Sequence, residues 1–383
     1  MPLLLILAVA AFVSAASIRL IDPLIPAIAR ETGVGIETAA LLATAYTLPY
    51  AFSQPVLGPI GDTLGKIRVM RVCLGMLALS LVLGAFANSY EWLVVARIAA
   101  GIGGGGVIPL AFGIIGDRFP ASERQVALSK LVMASQIAIL GGSALGGVVA
   151  EHVSWRVMFV VPGVLGFAAL ALLASRLPGE TVAERRPISI EGAKDGYAAV
   201  FKSPLAPLAL IGVFVEGLAM FGLTPFIAHR LEERGLGTLS EAGIVLGSMS
   251  IGAIVFTLAV RRLLDALGRI RLIEIGGVIS FVALTLVAFS VTWWMEAIAF
   301  GLLGIGFFMI HNCLQAVGVD LAPGARASGI AMFAFMFFAG QAMGPIIYRV
   351  AFAHLGPAVP LLLGGLALLI VAFWVAHRLR RIG

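Results

Sequence analysis

Apolar runs of about twenty residues recur from one end of this chain to the other, and nothing else in it constrains the fold so tightly. A helix of that length, rising about 1.5 Å per residue, matches the ~30 Å hydrocarbon core of a bilayer. In lipid the backbone must satisfy its own hydrogen bonds, so a succession of such runs folds as helices. Twelve are placed, near 3–28, 38–60, 67–88, 92–115, 125–149, 156–175, 204–228, 240–262, 271–291, 295–319, 325–351 and 357–377. Glycine, proline and charge mark most of their boundaries. Of the 383 residues 60% are hydrophobic and 12% charged, and the mean hydropathy is +1.06. The runs lack the charged face of a soluble helix, and the 46 glycines suit helices that approach closely in a membrane. The stretch LLLILAVAAFVSAAS is read as part of the first span and not as a cleaved leader. No basic residue precedes it, and the apolar run continues to Ile28, interrupted only by Arg19 and Asp22.

Lysine and arginine set the orientation. With the N-terminus inside, nineteen of the 26 fall in inner loops, the 176–204 segment and the C-terminus; five fall outside (Arg30, Arg156, Arg230, Arg234, Arg349), and Arg19 and Arg97 lie within spans. Both termini are therefore expected in the cytoplasm, in a multi-pass protein of the cytoplasmic (inner) membrane. The formal charge of +6 is explained by these loops, so no nucleic-acid partner is expected. Cys73 and Cys313 fall in spans of different halves, which makes a disulfide an unexpected pairing.

The spans divide into six and six. The stretch GPIGDTLGKIR at 58–68 returns as LDALGRIR at 264–271: Asp62, Leu64, Gly65, Ile67 and Arg68 recur 203 positions later as Asp265, Leu267, Gly268, Ile270 and Arg271, with Lys66 answered by Arg269. The same offset maps Gly101-Ile102-Gly103 onto Gly304-Ile305-Gly306, Asp117 onto Asp320 and Pro120 onto Pro323; an offset of 202 maps Gly142 onto Gly344 and Pro23 onto Pro225. So many matches in one register indicate parallel repeats. The expected organisation is an N-terminal bundle over 1–175, a charged, proline-bearing linker over 176–203 that ends in a short surface helix, and a C-terminal bundle over 204–383.

The repeated stretch sits at the inner ends of spans 2 and 8. Glycines there let a neighbouring helix pack on backbone, the aspartate can pair with a basic group or face a helix N-terminus, and the basic residues hold the turn inside. In these residues the chain resembles the major facilitator superfamily. Gly58, Gly61, Asp62, Gly65, Lys66 and Arg68 match its loop 2–3 signature, with Thr63 where a basic residue is usual. Arg97, Gly101 and Gly103 look like its span 4 motif, and SWRVMF at 154–159 like its start of span 6. DPLIPAIA in span 1 and HNCLQ in span 10 are similar to bacterial drug and sugar efflux permeases.

The resemblance implies an all-α fold of two pseudo-symmetric six-helix bundles that rock about a central cavity. In that family spans 1, 4, 7 and 10 line the cavity. When the cavity faces out, Asp62 and Asp265 are expected to latch the inner ends of the bundles, Asp62 facing the N-terminus of span 11 near Ser328 and Asp265 that of span 5 near Ser122. One departure stands out. Antiporters of the family carry Gly-Pro in span 5; here Gly142 is followed by Ser143, although Gly146 and Gly147 are present, and the better match is Gly340 to Pro345 in span 11, with Gly344 and Pro345 as its pair.

Charged side chains within a span cost roughly 2.5–3.5 kcal/mol at a helix centre on insertion scales, so each needs a reason. Those singled out are Arg19 and Asp22 in span 1, Arg97 in span 4, Glu216 in span 7, and His311 and Asn312 in span 10. Arg19 and Asp22 either neutralise each other or bind substrate or ion; Arg97 either holds backbone carbonyls or acts in the cavity; His311 and Asn312 either cross-link helices or touch substrate. Glu216 has no charged neighbour in its own span and is the expected carrier of the coupling proton, with Asp22 its rival. Gln54, Gln136 and Gln341 are read as interhelical contacts, and Phe221 and Trp293 as packing residues.

The five histidines form no metal-binding pair at a spacing of four, and there is no P-loop or serine elbow, so neither an enzyme, a metal, a cofactor nor an ATP-driven pump is expected. The expected function is proton-coupled secondary transport of a small organic molecule by a monomer in contact with lipid, by antiport in the direction of efflux; the alternative is import by symport.

Overall fold

The structure, a computed structural model, describes residues 2–177 and 190–382. Its described segments are helical, with no strand among them. Residues 178–189 of the linker expected at 176–203 lie outside the described residues, and its end is a helix.

Span 1 is broken. α1 (Pro2–Arg19) stops at a short 3₁₀ turn (Asp22–Leu24), and α2 (Ile25–Thr32) continues at an angle of 41°. Pro23 causes the break, because it has no amide hydrogen and its ring crowds the carbonyl four residues earlier, that of Arg19. After the short α3 (Ile36–Ala39), spans 2 to 6 are α4 (Leu41–Leu64), α5 (Lys66–Ala85), α6 (Tyr90–Arg118), α7 (Ala121–His152) and α8 (Val157–Arg176). The linker ends in α9 (Ile190–Lys202). Span 7 repeats the break of span 1: α10 (Ala206–Phe221), a 3₁₀ turn at Thr224–Phe226 that holds Pro225, then α11 (Ile227–Glu233). α12 (Leu239–Ala288), α13 (Trp293–Val319), α14 (Arg326–Leu355) and α15 (Val359–Ile382) complete the chain.

Among the described residues nine helices are long and apolar enough to cross a membrane, ten if the bent pair of span 1 is one crossing. Two of the twelve expected spans are hidden in that number. α12 has 50 residues but is non-helical at Gly268, and its two arms pack on the same level of α13: a Cβ on Gly252 would meet Gly301 O, and one on Gly276 would meet Gly306 O. The chain therefore folds back at Gly268. α4 has 24 residues but is less apolar, with Pro49, Pro55 and Pro59 inside it. The set is consistent with twelve crossings.

The repeat is visible in the backbone. Gly65 (φ 96°) separates α4 from α5, and Gly268 (φ 71°) separates the arms of α12. A side chain at such φ clashes with its own carbonyl, so glycine is required at both turns. Gly33 (φ 71°) and Gly235 (φ 62°), 202 positions apart, likewise end α2 and α11. One apolar core is drawn from residues 6–173, and two others from residues 200–379 together with Ala40.

Two seams join the halves. Along one, α7 crosses α12; along the other, α4 lies against α14, where Thr44 Oγ1 donates to Ala342 O at 2.7 Å and the Tyr50 and Phe338 rings are 4.3 Å apart. The end that carries the Gly65 and Gly268 turns is called the motif end, and the opposite one the far end. At the motif end α9 lies over the second seam. Tyr197 Oη donates to Pro55 O of α4 at 2.8 Å, and Gly196 packs on Ser328 of α14. Burial pushes the Tyr197 phenol above its usual pKa and keeps it a donor.

Candidate functional site

Between the bundles lies a cavity of about 300 Å³. Its walls come from α1 (Ile18, Arg19), α7 (Val132, Gln136, Ile139), α10 (Phe221), α12 (Met249, Ser250, Ala253), α13 (Phe307, Phe308, His311, Asn312, Gln315) and α14 (Phe337, Phe338, Gln341). On the α7 wall Val132 both lines the cavity and is exposed. Toward the far end α7 and α12 close until backbone meets backbone: a Cβ on Gly147 would lie 1.9 Å from Leu239 O, and one on Gly243 2.7 Å from Ser143 O. The absence of side chains at both positions permits this approach. The far end of the cavity is thus closed along this seam.

Arg19 forms the seal's inner face. It is buried and ion-pairs with Asp22 at 3.5 Å in its own span. It also reaches across to the second bundle, donating to Gln341 Oε1 and to Thr224 Oγ1 (3.4 Å), with its guanidinium 4.0 Å from the centre of the Phe221 ring. The pair neutralises itself, and Arg19 also faces the cavity. Phe221 is not mere packing, since it lines the cavity beneath that cation.

Glu216 is not the isolated carboxylate that its own span suggested. It is fully buried in α10, and its Oε2 lies 3.0 Å from His311 Nδ1 of α13. Its Oε1 has no hydrogen-bond partner among the described residues. His311 stands between Glu216 and the cavity, stacked on Phe307 with ring centres 4.8 Å apart and flanked by Phe333 and Phe337. The aromatic walls shield the pair from water, and a buried carboxylate in such surroundings needs a partner. Asn312 lies on the same wall.

Arg97 does not line the cavity. It is fully buried inside the first bundle, where Nη1 donates to Ser17 O (3.1 Å), Nε donates to Leu42 O (3.3 Å), and the guanidinium sits 4.1 Å from the centre of the Tyr46 ring. Of its two readings the geometry has the first, backbone carbonyls held by the guanidinium, and it ties spans 1, 2 and 4 together.

The repeated motif is asymmetric in its contacts. Lys66 Nζ bridges Asp62 (3.2 Å) and Asp117 (2.5 Å), and Gly61 makes room for Leu110. In the second copy Asp265, Arg269 and Arg271 are exposed, and no ion pair joins Asp265 or Arg269 to Asp320. Gly58 is open, and Arg68 is exposed. Ser328, expected opposite Asp62, is occupied by Gly196 of α9. Gly142 packs on Ala16 and Gly146 on Pro23 of span 1, while Gly344 packs on Gly222 of span 7, beside the buried Pro345.

One buried charge pair escaped the reading of the sequence. Arg230, assigned to an outer loop, is buried and donates to Glu296 Oε1, to Val287 O (2.5 Å) and to Ser290 Oγ (3.5 Å). Glu296 itself is fully buried. Both lie near helix ends, where charge is ordinarily solvated, so only a contact 66 residues apart in sequence reveals the pair.

The family model described as Major Facilitator Superfamily matches residues 7–345, and again 209–381. The chain is 25% identical over 336 residues to the uncharacterized MFS-type transporter YceJ of Bacillus subtilis, covering 88% of this chain and 85% of that protein. It is 28% identical over 173 residues to the uncharacterized MFS-type transporter YbcL of the same organism, covering 45% of this chain and 44% of YbcL. To the putative multidrug resistance protein MdtD of Salmonella heidelberg it is 23% identical over 308 residues, covering 65% of each. The matches to YbcL and MdtD thus span less than two thirds of those proteins. Among solved structures, nucleoside transporter NupG superposes with a TM-score of 0.81 at 15% identity, over 98% of this chain and 99% of that one. The human organic anion transporter MFSD10 superposes with 0.75 at 16%, over 98% and 99%. At these identities the structural likeness speaks for the fold. A sequence match along the chain, a repeated motif turning on two left-handed glycines, and a cavity between two helical bundles lead to one conclusion: this chain belongs to the Major Facilitator Superfamily.

Proposed function

We propose that the protein is a proton-coupled secondary transporter that exports a small organic molecule, and that Glu216 and His311 form its coupling site. The observation that carries this reading is the pair itself, a fully buried carboxylate 3.0 Å from an imidazole that lines the cavity. Intramembrane acids and histidines in contact are the usual relays for protons in transporters. A proton arriving from the cavity binds the imidazole, and the Nδ1 proton passes to Glu216 Oε2, so the carboxylate loads without meeting bulk water. Release follows the reverse route when access switches.

The substrate lies against the aromatic wall of Phe221, Phe307 and Phe337, with Gln136, Asn312 and Gln341 as hydrogen-bonding groups. Arg19 with Asp22, and His311 with Glu216, leave the lining close to electrically balanced. Efflux is supported by the partial likeness to MdtD, and the cytoplasmic placement of the motif end by the bias of nineteen basic residues to five. Asp22 is held by Arg19 at 3.5 Å, which makes it the poorer shuttle. Import by symport is the second reading, favoured by Ser143 at the place of the antiporter proline.

The test uses proteoliposomes, a panel of candidate substrates and an imposed pH gradient. Glu216→Gln is expected to abolish accumulation against a gradient while substrate exchange without a gradient persists. Accumulation by Glu216→Gln with the wild-type pH dependence would sink the coupling role. The direction of substrate movement relative to the proton gradient separates export from import.

A further inference from the structure

The far end of the α7–α12 seam carries a contact that involves neither the cavity nor the repeated motif. α7 belongs to the first bundle and α12 to the second. Beyond the Gly147–Gly243 crossing, Glu151 Oε2 accepts from the backbone N–H of Ser240 at 2.8 Å and lies 2.6 Å from the Thr238 hydroxyl, whose one proton it shares with Glu241 Oε2. Thr238 is the residue that caps α12, and Ser240 lies in its first turn. A carboxylate of one bundle therefore sits on the first turn of a helix in the other. There the amide hydrogens have no partner within the helix and the helix dipole presents its positive end.

α12 already has its own cap. Glu241 accepts from the Thr238 amide at 2.7 Å and closes a capping box. The two carboxylates divide the first turn: Glu241 serves the Thr238 amide, and Glu151 the Ser240 amide. Since the helix is capped without it, what Glu151 adds is the joining of two bundles. An ion pair, Arg30–Glu232 at 2.9 Å, also crosses between the bundles at this end; it is exposed, as the Glu151 contact is, and being a pair of surface charges it is screened.

Among the described residues no carboxylate bonds across the opposite seam to the first turn of a helix. The position 203 residues after Glu151 is His354, and α3, which leads into α4, is capped by Gly35 with no side-chain hydrogen bond. We infer that Glu151 is a positioning residue of the transport cycle: its carboxylate clasps the N-terminus of α12 while the far end is closed, and its release allows the far end to open along the α7–α12 seam.

The test is a distance measurement on the full chain in lipid nanodiscs. Cys73 and Cys313 are replaced by serine, and spin labels are placed at Val153→Cys and Arg234→Cys, exposed far-end positions on different bundles. The ratio of far-end-open to far-end-closed populations is the readout. Glu151→Gln is expected to raise it about fivefold, the effect of losing one ordinary helix cap. Thr238→Val, which removes the hydroxyl that Glu151 shares with the capping box of α12, should shift the ratio the same way, and Glu151→Asp should recover part of the shift seen in Glu151→Gln. Glu31→Gln is the control, because the partners of Glu31, Trp155 and Arg156, lie in its own bundle; the ratio should stay within about twofold. Wild-type ratios in both Glu151→Gln and Thr238→Val overturn the inference, and so does a shift in Glu31→Gln as large as that in Glu151→Gln. The readout needs neither substrate nor gradient, so it stands or falls apart from proton coupling.

Discussion

Glu216 and His311, 95 residues apart on α10 and α13, meet at 3.0 Å behind the aromatic wall of the cavity. Removing the imidazole leaves a buried carboxylate with neither oxygen partnered by protein, a loss of about 1–3 kcal/mol. His311→Phe is therefore expected to lower the thermal midpoint in detergent and to stop proton-driven accumulation. The double variant Glu216→Gln/His311→Phe should be more stable than His311→Phe alone. A double variant no more stable than the single one would show that the two side chains are not energetically coupled.

Arg19 and Asp22 make a buried pair in the broken part of span 1. Cutting one partner from such a pair costs about 3–5 kcal/mol, because an uncompensated charge is left in an apolar site. Arg19→Met should unfold at markedly lower temperature than wild type, and Arg19→Met/Asp22→Asn should recover much of the loss. Thermal unfolding of the purified variants checks this; equal losses in the single and the double variant would contradict it.

The far-end seal depends on glycine at 147. A side chain there would collide with Leu239 O, which is backbone and cannot swing away. Gly147→Val should shift the protein toward the far-end-open state and reduce transport at least tenfold. Gly141→Val, at a position with nothing within 4 Å, should leave both near wild type. Thiol accessibility of single cysteines at Gln136 and Gln315, measured from each side, reads the shift.

At the motif end Asp62 is held by Lys66, which also binds Asp117. When the cavity opens at the far end, the motif end must close, and Asp62 is then expected against α14 near Ser328 in place of Gly196. Asp62→Asn should favour the motif-end-open state by roughly two- to fivefold, in line with about 0.3–1 kcal/mol for a carboxylate at a helix end. Unchanged gate accessibility and unchanged transport in Asp62→Asn would reduce the motif to a tight turn.

A cysteine at Lys194 in α9 should resist an impermeant thiol reagent added outside intact cells, whereas one at Val153 should react. The reverse pattern would invert the orientation drawn from basic residues.

The sequence by itself determined the class, the repeat and the turns. Long apolar runs have a single solution in lipid, and Gly65 and Gly268 recur because only glycine accepts the backbone angle at those turns. In the sequence Pro23 and Pro225 show only as a repeated pair within unbroken spans, and the breaks they cause in spans 1 and 7 appear in the structure. The costly side chains Arg19, Asp22, Glu216 and His311 were legible one by one, because burial of charge is penalised at each position regardless of what lies across from it. Which of them meet was decided by tertiary structure alone. His311 reaches Glu216, Arg19 reaches Gln341 and Thr224, and Arg97 turns inward to the carbonyls of Ser17 and Leu42. Arg230 with Glu296, and Glu151 with the start of α12, were invisible because residues near helix ends are ordinarily solvated. Helical periodicity reports which face of a helix a residue occupies, but the azimuth of one helix against another comes from packing between distant segments. Pairings between helices are therefore a property of the assembled bundles.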